Sequence, residues 1–218
     1  MAENVYLFIP NLIGYVRVLT GLIAFYQTDK WEIFFTFYFI SYFLDCIDGL
    51  AARKFKQATR FGQMLDMVTD RCCTACLLGL LAHLYSHKPA IAFACYTLLS
   101  LDLASHYCHL YSQLLVGAAS HKKLAETENW LLRLYYHNTA VLFTLCLFNE
   151  TCFVMSYLLY FASDPTSSAA WTYTPAYFVF VVSAPFCLIK QYLNVLQFVS
   201  ACGKIVAHDV AERSSGKK

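Results

Sequence analysis

Asp45-Cys46-Ile47-Asp48-Gly49-Leu50-Ala51-Ala52-Arg53 and, eight residues on, Gly62-Gln63-Met64-Leu65-Asp66-Met67-Val68-Thr69-Asp70 decide the reading of this chain. Four of its 14 acidic residues fall here, between long apolar segments. Carboxylates at the edge of hydrocarbon are costly and mark functional sites. Asp45 and Asp48 are three apart, and Asp66 and Asp70 four apart. Each pair therefore shares one face of a helix. Gly49 and Ala52 are small enough to let a backbone or ligand approach. Inward carboxylates from two helix ends form an oxygen-only cage, which suits a hard divalent ion such as Mg²⁺ or Mn²⁺. Two such ions about 3.5–4 Å apart can clamp the attacking and leaving oxygens of a phosphoryl displacement. Arg53 and a basic loop come directly after, as a phosphate ligand requires. The other reading of Arg53 is a juxtamembrane anchor.

Composition places this stretch in a membrane. Hydrophobic residues make up 59% of the 218 and charged residues only 14%, against about 25% charged in soluble domains. Aromatics reach 17%, and Tyr and Trp concentrate at membrane interfaces. The expected class is an all-α integral membrane protein, one membrane domain over residues 1–213 with a disordered tail over 214–218. A net charge of +2 is too small to argue for nucleic acid. Of the ten cysteines, most lie inside apolar runs and read as small buried residues. Cys73 and Cys76 lack the second half that a zinc site needs. The first apolar segment has no basic start or small-residue cleavage site, and Arg17 interrupts it, so it reads as a retained helix.

Six spans are expected: Asn11–Tyr26, Trp31–Ala52, Gly62–Tyr85, Pro89–Val116, Tyr136–Phe161 and Tyr173–Ser200. A short interfacial segment, Asn4–Ile9, precedes them and ends at Pro10. Loop charges orient the bundle. Arg53, Lys54, Lys56 and Arg60 lie between spans two and three, Lys122, Lys123 and Arg133 between four and five, and Lys204, Arg213, Lys217 and Lys218 in the tail. The alternate loops hold only Lys30 and Lys88. An excess of Lys and Arg marks the cytosolic side. Both termini and the acidic stretch are then cytosolic. His121, with Lys122 and Lys123, reads as a solvated basic loop.

The stretch is, in pattern, Asp, two residues, Asp-Gly, two residues, Ala-Arg, eight residues, Gly, three residues, Asp, three residues, Asp, with every fixed position filled. It resembles the CDP-alcohol phosphotransferase family. That resemblance implies that Asp45, Asp48, Asp66 and Asp70 hold two Mg²⁺ or Mn²⁺ ions and that Asp70 is the general base. It further implies that Gly49, Arg53 and Thr59 line a CDP-diacylglycerol site, with Arg53 on the diphosphate. Thr59 also reads as an ordinary loop residue.

Other stretches resemble the eukaryotic phosphatidylinositol synthases of that family: Phe8-Ile9-Pro10-Asn11-Leu12-Ile13-Gly14-Tyr15-Val16-Arg17, Thr59-Arg60-Phe61-Gly62, Ser100-Leu101-Asp102 with Ala104-Ser105-His106, and Leu132-Arg133 with Tyr135-Tyr136. This implies myo-inositol as acceptor, an endoplasmic reticulum membrane and a homodimer. Asn11, Arg17, Asp102, His106 and Arg133 are the candidate inositol residues. His106 reads equally as a core histidine, and Arg17 as a side chain snorkelling to phosphates. Lys190, Gln191 and Asn194 belong either to the pocket or to headgroup contact. Glycerol 3-phosphate or serine are the alternative acceptors. A cation transporter is the reading from another class, but the acids cluster at helix ends and no internal repeat is visible.

Overall fold

A computed structural model describes residues 4–116 and 129–214. Among them every regular element is helical: a 3₁₀ turn Val5–Leu7, then α1 Ile9–Tyr26, α2 Trp31–Lys54, α3 Arg60–Leu84, α4 Pro89–Val116, α5 Trp130–His137, α6 Thr139–Ala162, a 3₁₀ turn Ala170–Thr172 and α7 Tyr173–Ser214. The basic loop residues His121, Lys122 and Lys123 and the end of the tail lie outside the described residues.

Helix boundaries follow local chemistry. Pro10 does not end a segment ahead of α1 but stands in the first turn of that helix, where its missing N–H has no helical partner to lose. Thr59 caps α3, its Oγ1 accepting from the Gly62 amide at 3.0 Å. Asn138 caps α6 by accepting from the Ala140 and Val141 amides. That cap separates α6 from the short α5, whose residues the sequence pattern divides between a loop and span five. α7 runs 14 residues beyond the expected Ser200.

Among the described residues, five helices are long and apolar enough to cross a membrane: α1, α2, α3, α6 and the Ala170–Ser214 stretch that contains α7. α4 has 28 residues but is not one of them, because Asp102, His106 and His109 dilute its apolar run.

The chain divides into two compact units, one of residues 1–77 with 161–171, the other of 78–160 with 172–218. In the first unit, the buried stripe of α1 carries Asn11, Gly14, Arg17, Gly21 and Ala24, a spacing of three and four residues. Its small members let neighbours approach. A Cβ on Gly14 would meet Leu65 Cδ2 of α3 at 2.8 Å, and one on Gly21 would meet Cys73 Sγ at 3.4 Å and Ser41 Oγ of α2 at 3.7 Å. Towards the other end Phe34 stacks on Tyr38 at 5.4 Å, and Phe25 meets both edge-on. The second unit has its core at Leu132, Tyr135, Leu145 and Leu193, from α5, α6 and α7.

The α2–α3 turn sets where the two acidic helix ends meet. The Gln57 amide donates to the Ala52 carbonyl at 2.9 Å, a closure that requires a left-handed residue. Lys56 supplies it with φ 56°. That conformation costs a residue with a side chain about 1 kcal/mol. Lys56→Gly is therefore expected to raise the thermal unfolding midpoint of the detergent-solubilised protein by about 2–4 °C. A lowered midpoint would show that the lysine side chain contributes more than its backbone costs.

Candidate active site

α2 presents Asp45 and Asp48, α3 presents Asp66 and Asp70, and α1 presents Arg17. All five meet. Arg17 Nη1 lies 2.6 Å from Asp48 Oδ2 and 2.7 Å from Asp66 Oδ1. Nη2 lies 2.5 Å from Asp45 Oδ1 and 2.6 Å from Asp70 Oδ1. The guanidinium thus takes one oxygen from each of the four carboxylates. Its side chain is 3% exposed, yet its Nε finds no acceptor. Arg17 does not snorkel outward. It is the counter-charge of the acidic cluster. The sequence carries a signal for this, since an arginine within a span pairs with intramembrane acids, but its partners lie far along the chain.

Ligand oxygens of Asp45, Asp48 and Asp66 lie within 4.8 Å of one another. Such an all-carboxylate set fits a hard divalent cation, and the guanidinium seated among these oxygens shows them turned towards one centre. Asp70 is outside that group of three and reaches the guanidinium from one turn further along α3. Its second oxygen lies 3.8 Å from Arg71 Nη2.

A cavity of about 300 Å³ adjoins the cage, lined among others by Asn11, Gly14, Asp48, Gly49, Ala52, Arg53, Gln57, Thr59, Gly62, Gln63 and Asp66. Asp48 and Asp66 are therefore walls of both. Gly49, Arg53 and Thr59, singled out from sequence, do line it. A Cβ on Gly49 would meet only the Arg53 guanidinium, at 3.7 Å, an ordinary contact. Gly62 is tighter: a Cβ would come within 2.9 Å of Asn11 Oδ1 and 3.2 Å of Thr59 Oγ1. Asn11 is itself held, donating to the Val5 carbonyl at 2.6 Å. Gln57 and Gln63 are lining residues that sequence reasoning passes over. Gln57 also accepts from the Ile9 amide at 3.0 Å, tying the α2–α3 turn to the start of α1.

Asp102, His106 and Arg133 belong to the second unit. Asp102 is buried, with Oδ1 3.6 Å from His106 Nδ1. Asn194 Nδ2 lies 3.5 Å from the same oxygen, and Lys190 Nζ donates to Asn194 Oδ1. Gln191 donates to Asn149 at 2.7 Å. Lys190 and Asn194 are buried, so these residues form an internal polar network, not headgroup contacts. Arg133 is exposed on α5.

The chain belongs to the CDP-alcohol phosphatidyltransferase family, whose profile matches residues 7–120. Among curated relatives, the CDP-diacylglycerol–inositol 3-phosphatidyltransferase of Schizosaccharomyces pombe is 45% identical, over 99% of this chain and 95% of its own length. The human protein of the same name is 40% identical, over 99% of both chains, and that of Saccharomyces cerevisiae 40% identical, over 99% of this chain and 93% of its own. No solved structure matches the chain.

The charges at the cage do not balance. Asp48 is attracted by Arg17 at 2.6 Å and repelled by two carboxylates whose ligand oxygens lie within 4.8 Å, opposing effects of several kcal/mol each at an effective dielectric of about 20. Asp70 adds to the repulsion. One guanidinium does not neutralise the cluster. Asp48→Asn, which keeps the shape and removes one charge, is expected to raise the thermal unfolding midpoint in chelating buffer by about 2–4 °C. A fall of that size would mean that the Arg17 ion pair outweighs the repulsion.

Proposed function

We propose that this chain transfers the phosphatidyl group of CDP-diacylglycerol to myo-inositol, giving phosphatidylinositol and CMP. One observation carries the chemistry: the carboxylate cage and the cavity share two walls, Asp48 and Asp66. A diphosphate in that cavity would lie against the cage. The substrate assignment comes from the relatives, which bear this activity in their names along nearly their whole length.

Asp45, Asp48, Asp66 and Asp70 would hold Mg²⁺ or Mn²⁺, as two ions. Bound there, the ions supply the positive charge that a diphosphate and its departing CMP require. The chain's own residues do the rest. Gly49 leaves room for the nucleotide. Thr59 offers its hydroxyl at the cavity wall. Arg53 pairs with the diphosphate. Asp70, one turn beyond the three clustered acids, accepts the proton of the attacking inositol hydroxyl. The inositol oxygen bonds to the phosphorus that carries diacylglycerol, and the bond from that phosphorus to CMP breaks. Asn11, on the cavity wall, contacts inositol, and Arg17 reaches it once freed from the carboxylates.

Residues 1–213 act as one membrane domain of six spans, and α7 carries the helix one residue further, to Ser214, the expected first residue of the tail. α4 is the sixth span. It is long enough to cross, and its polar residues Asp102, Ser105 and Ser112 are buried. The bases Arg53, Lys54, Lys56 and Arg60 at the cavity's end of α2 and α3 support a cytosolic site with both termini on that side. The membrane is that of the endoplasmic reticulum, and the enzyme works as a homodimer.

Membranes containing this protein should convert CDP-diacylglycerol and labelled inositol to phosphatidylinositol when Mg²⁺ or Mn²⁺ is supplied. Glycerol 3-phosphate and serine, offered in competition, should not be incorporated. Preferential incorporation of either would move the chain to another acceptor. Asp70→Asn should lower turnover by about 10²-fold or more with the unfolding midpoint retained. Unchanged turnover in that variant would rule out Asp70 as the base.

A further inference from the structure

We propose that Arg17 is a built-in surrogate cation. It occupies the carboxylate cage when no divalent ion is bound, and it must leave for an ion to enter. This inference rests on the reading of the cage as a metal site, and it adds a competing occupant drawn from the chain itself.

Three features lead to it. The first is shared atoms. Arg17 uses one oxygen each of Asp45, Asp48, Asp66 and Asp70. A Mg²⁺ ion needs oxygens about 2.0–2.1 Å away. An ion bound to Asp48 Oδ2 and Asp66 Oδ1 would take the place of Nη1, which already lies 2.6 and 2.7 Å from them. Guanidinium and ion therefore exclude each other at these oxygens.

The second is charge. Four carboxylates with one guanidinium keep a surplus of negative charge, whereas two divalent ions balance four carboxylates. Once those ions are in, the guanidinium is surplus and repelled by them. The third is the orphaned Nε. A buried donor without an acceptor is costly. Arg17 fills the cage with four ion pairs but leaves one of its own donors unmet. Nη1 and Nη2 are held by hydrogen bonds to Asp48, Asp66 and Asp70, and Nε alone gains from a second position.

That second position has a direction. Gly14, one turn before Arg17 on the same buried stripe of α1, lines the cavity. A displaced guanidinium turns towards that cavity. Arg17 thereby becomes a positioning residue. In the metal-free protein it keeps the four acids convergent and prevents the helices carrying them from splaying. Metal affinity then measures the exchange of one cation for another, not the filling of bare carboxylates.

The test uses the full-length protein in detergent. Free Mn²⁺ is followed by electron paramagnetic resonance during titration of wild type, Arg17→Met and Arg17→Lys. Arg17→Met should bind its first Mn²⁺ about tenfold tighter than wild type, a gain of ~1.4 kcal/mol. Arg17→Lys should fall between, since a single ammonium cannot fork across four carboxylates. In chelator Arg17→Met should unfold at a lower temperature than wild type, and saturating Mn²⁺ should erase the difference. Equal or weaker Mn²⁺ binding by a folded Arg17→Met overturns the proposal. A second measurement needs no variant. Phenylglyoxal labelling of Arg17 in wild type, read by mass spectrometry, should rise when Mn²⁺ replaces chelator, and an unchanged or lower yield overturns the proposal even if the variants do not fold. Asp48→Asn separates the two levels of inference. If wild type binds no Mn²⁺, or Asp48→Asn binds it as wild type does, the metal reading fails, and this inference with it. If only the Arg17 variants and the labelling disobey, the metal site stands and the exchange does not.

Discussion

Four carboxylates drawn from two helices onto one guanidinium of a third is the constraint to which the first unit is built. In a membrane the apolar surfaces of helices gain little by meeting each other, because lipid is equally apolar. Close packing and polar pairing must hold them instead. Arg17 supplies the pairing, and its place on α1 decides what surrounds it. It sits mid-stripe between Gly14 and Gly21, whose missing side chains leave room for Leu65 of α3 and for Ser41 and Cys73. The Ser41 hydroxyl of α2 donates to the Arg17 carbonyl at 3.0 Å. Backbone and side chain of one residue thus tie α1 to α2, and its guanidinium adds α3.

The turn between α2 and α3 completes the arrangement. Acids at the end of one helix meet acids near the start of the next only if the intervening loop returns at the right angle. Lys56 in a left-handed conformation, the Ala52–Gln57 closure and the Thr59 cap set that angle. The same loop then forms a wall of the cavity through Arg53, Gln57 and Thr59. Gly62 seals one corner, since Asn11 and Thr59 crowd the space a β-carbon would need. One short segment therefore aims the carboxylates and shapes the chamber beside them. This accounts for its fixed eight-residue gap between Arg53 and Gly62.

Much of this is readable in the amino-acid string, and the part that is not has physical reasons. Period-three and period-four spacing places Asp45 with Asp48 and Asp66 with Asp70, and the structure keeps each pair on one face. Gly49, Arg53 and Thr59 are legible through the motif and do stand together. Arg17 is legible as a buried-charge problem but not in its solution, because periodicity within one helix says nothing about which distant helix answers it. Polarity alone groups Asn11 with Asp102, His106 and Arg133. It sits instead against Gly62, in a different unit from the other three. α5 escapes sequence reasoning because eight residues are too few for a hydropathy signal. α4 reads as a span by length although its polar residues dilute its apolar run. Pro10 misleads because proline ends a helix when inside it but opens one when in the first turn.

The two buried polar assemblies differ in a way that separates chemistry from architecture. In the second unit, Lys190 donates to Asn194, Asn194 reaches Asp102 and Gln191, and Gln191 donates to Asn149. Donors and acceptors answer one another there, and such a network specifies a packing. In the first unit, four acids face Arg17 and, at longer range from Asp70, Arg71, and Arg17 itself has an unmet donor. A sequence selected only for stability would neutralise two or three of those aspartates with no loss of helix or packing. Their convergence in one cluster makes sense when the missing positive charge arrives with the reaction. Local imbalance of this kind is where natural proteins concentrate function at the expense of stability. Here it falls on the oxygens nearest the cavity, the same oxygens that Arg17 holds in readiness.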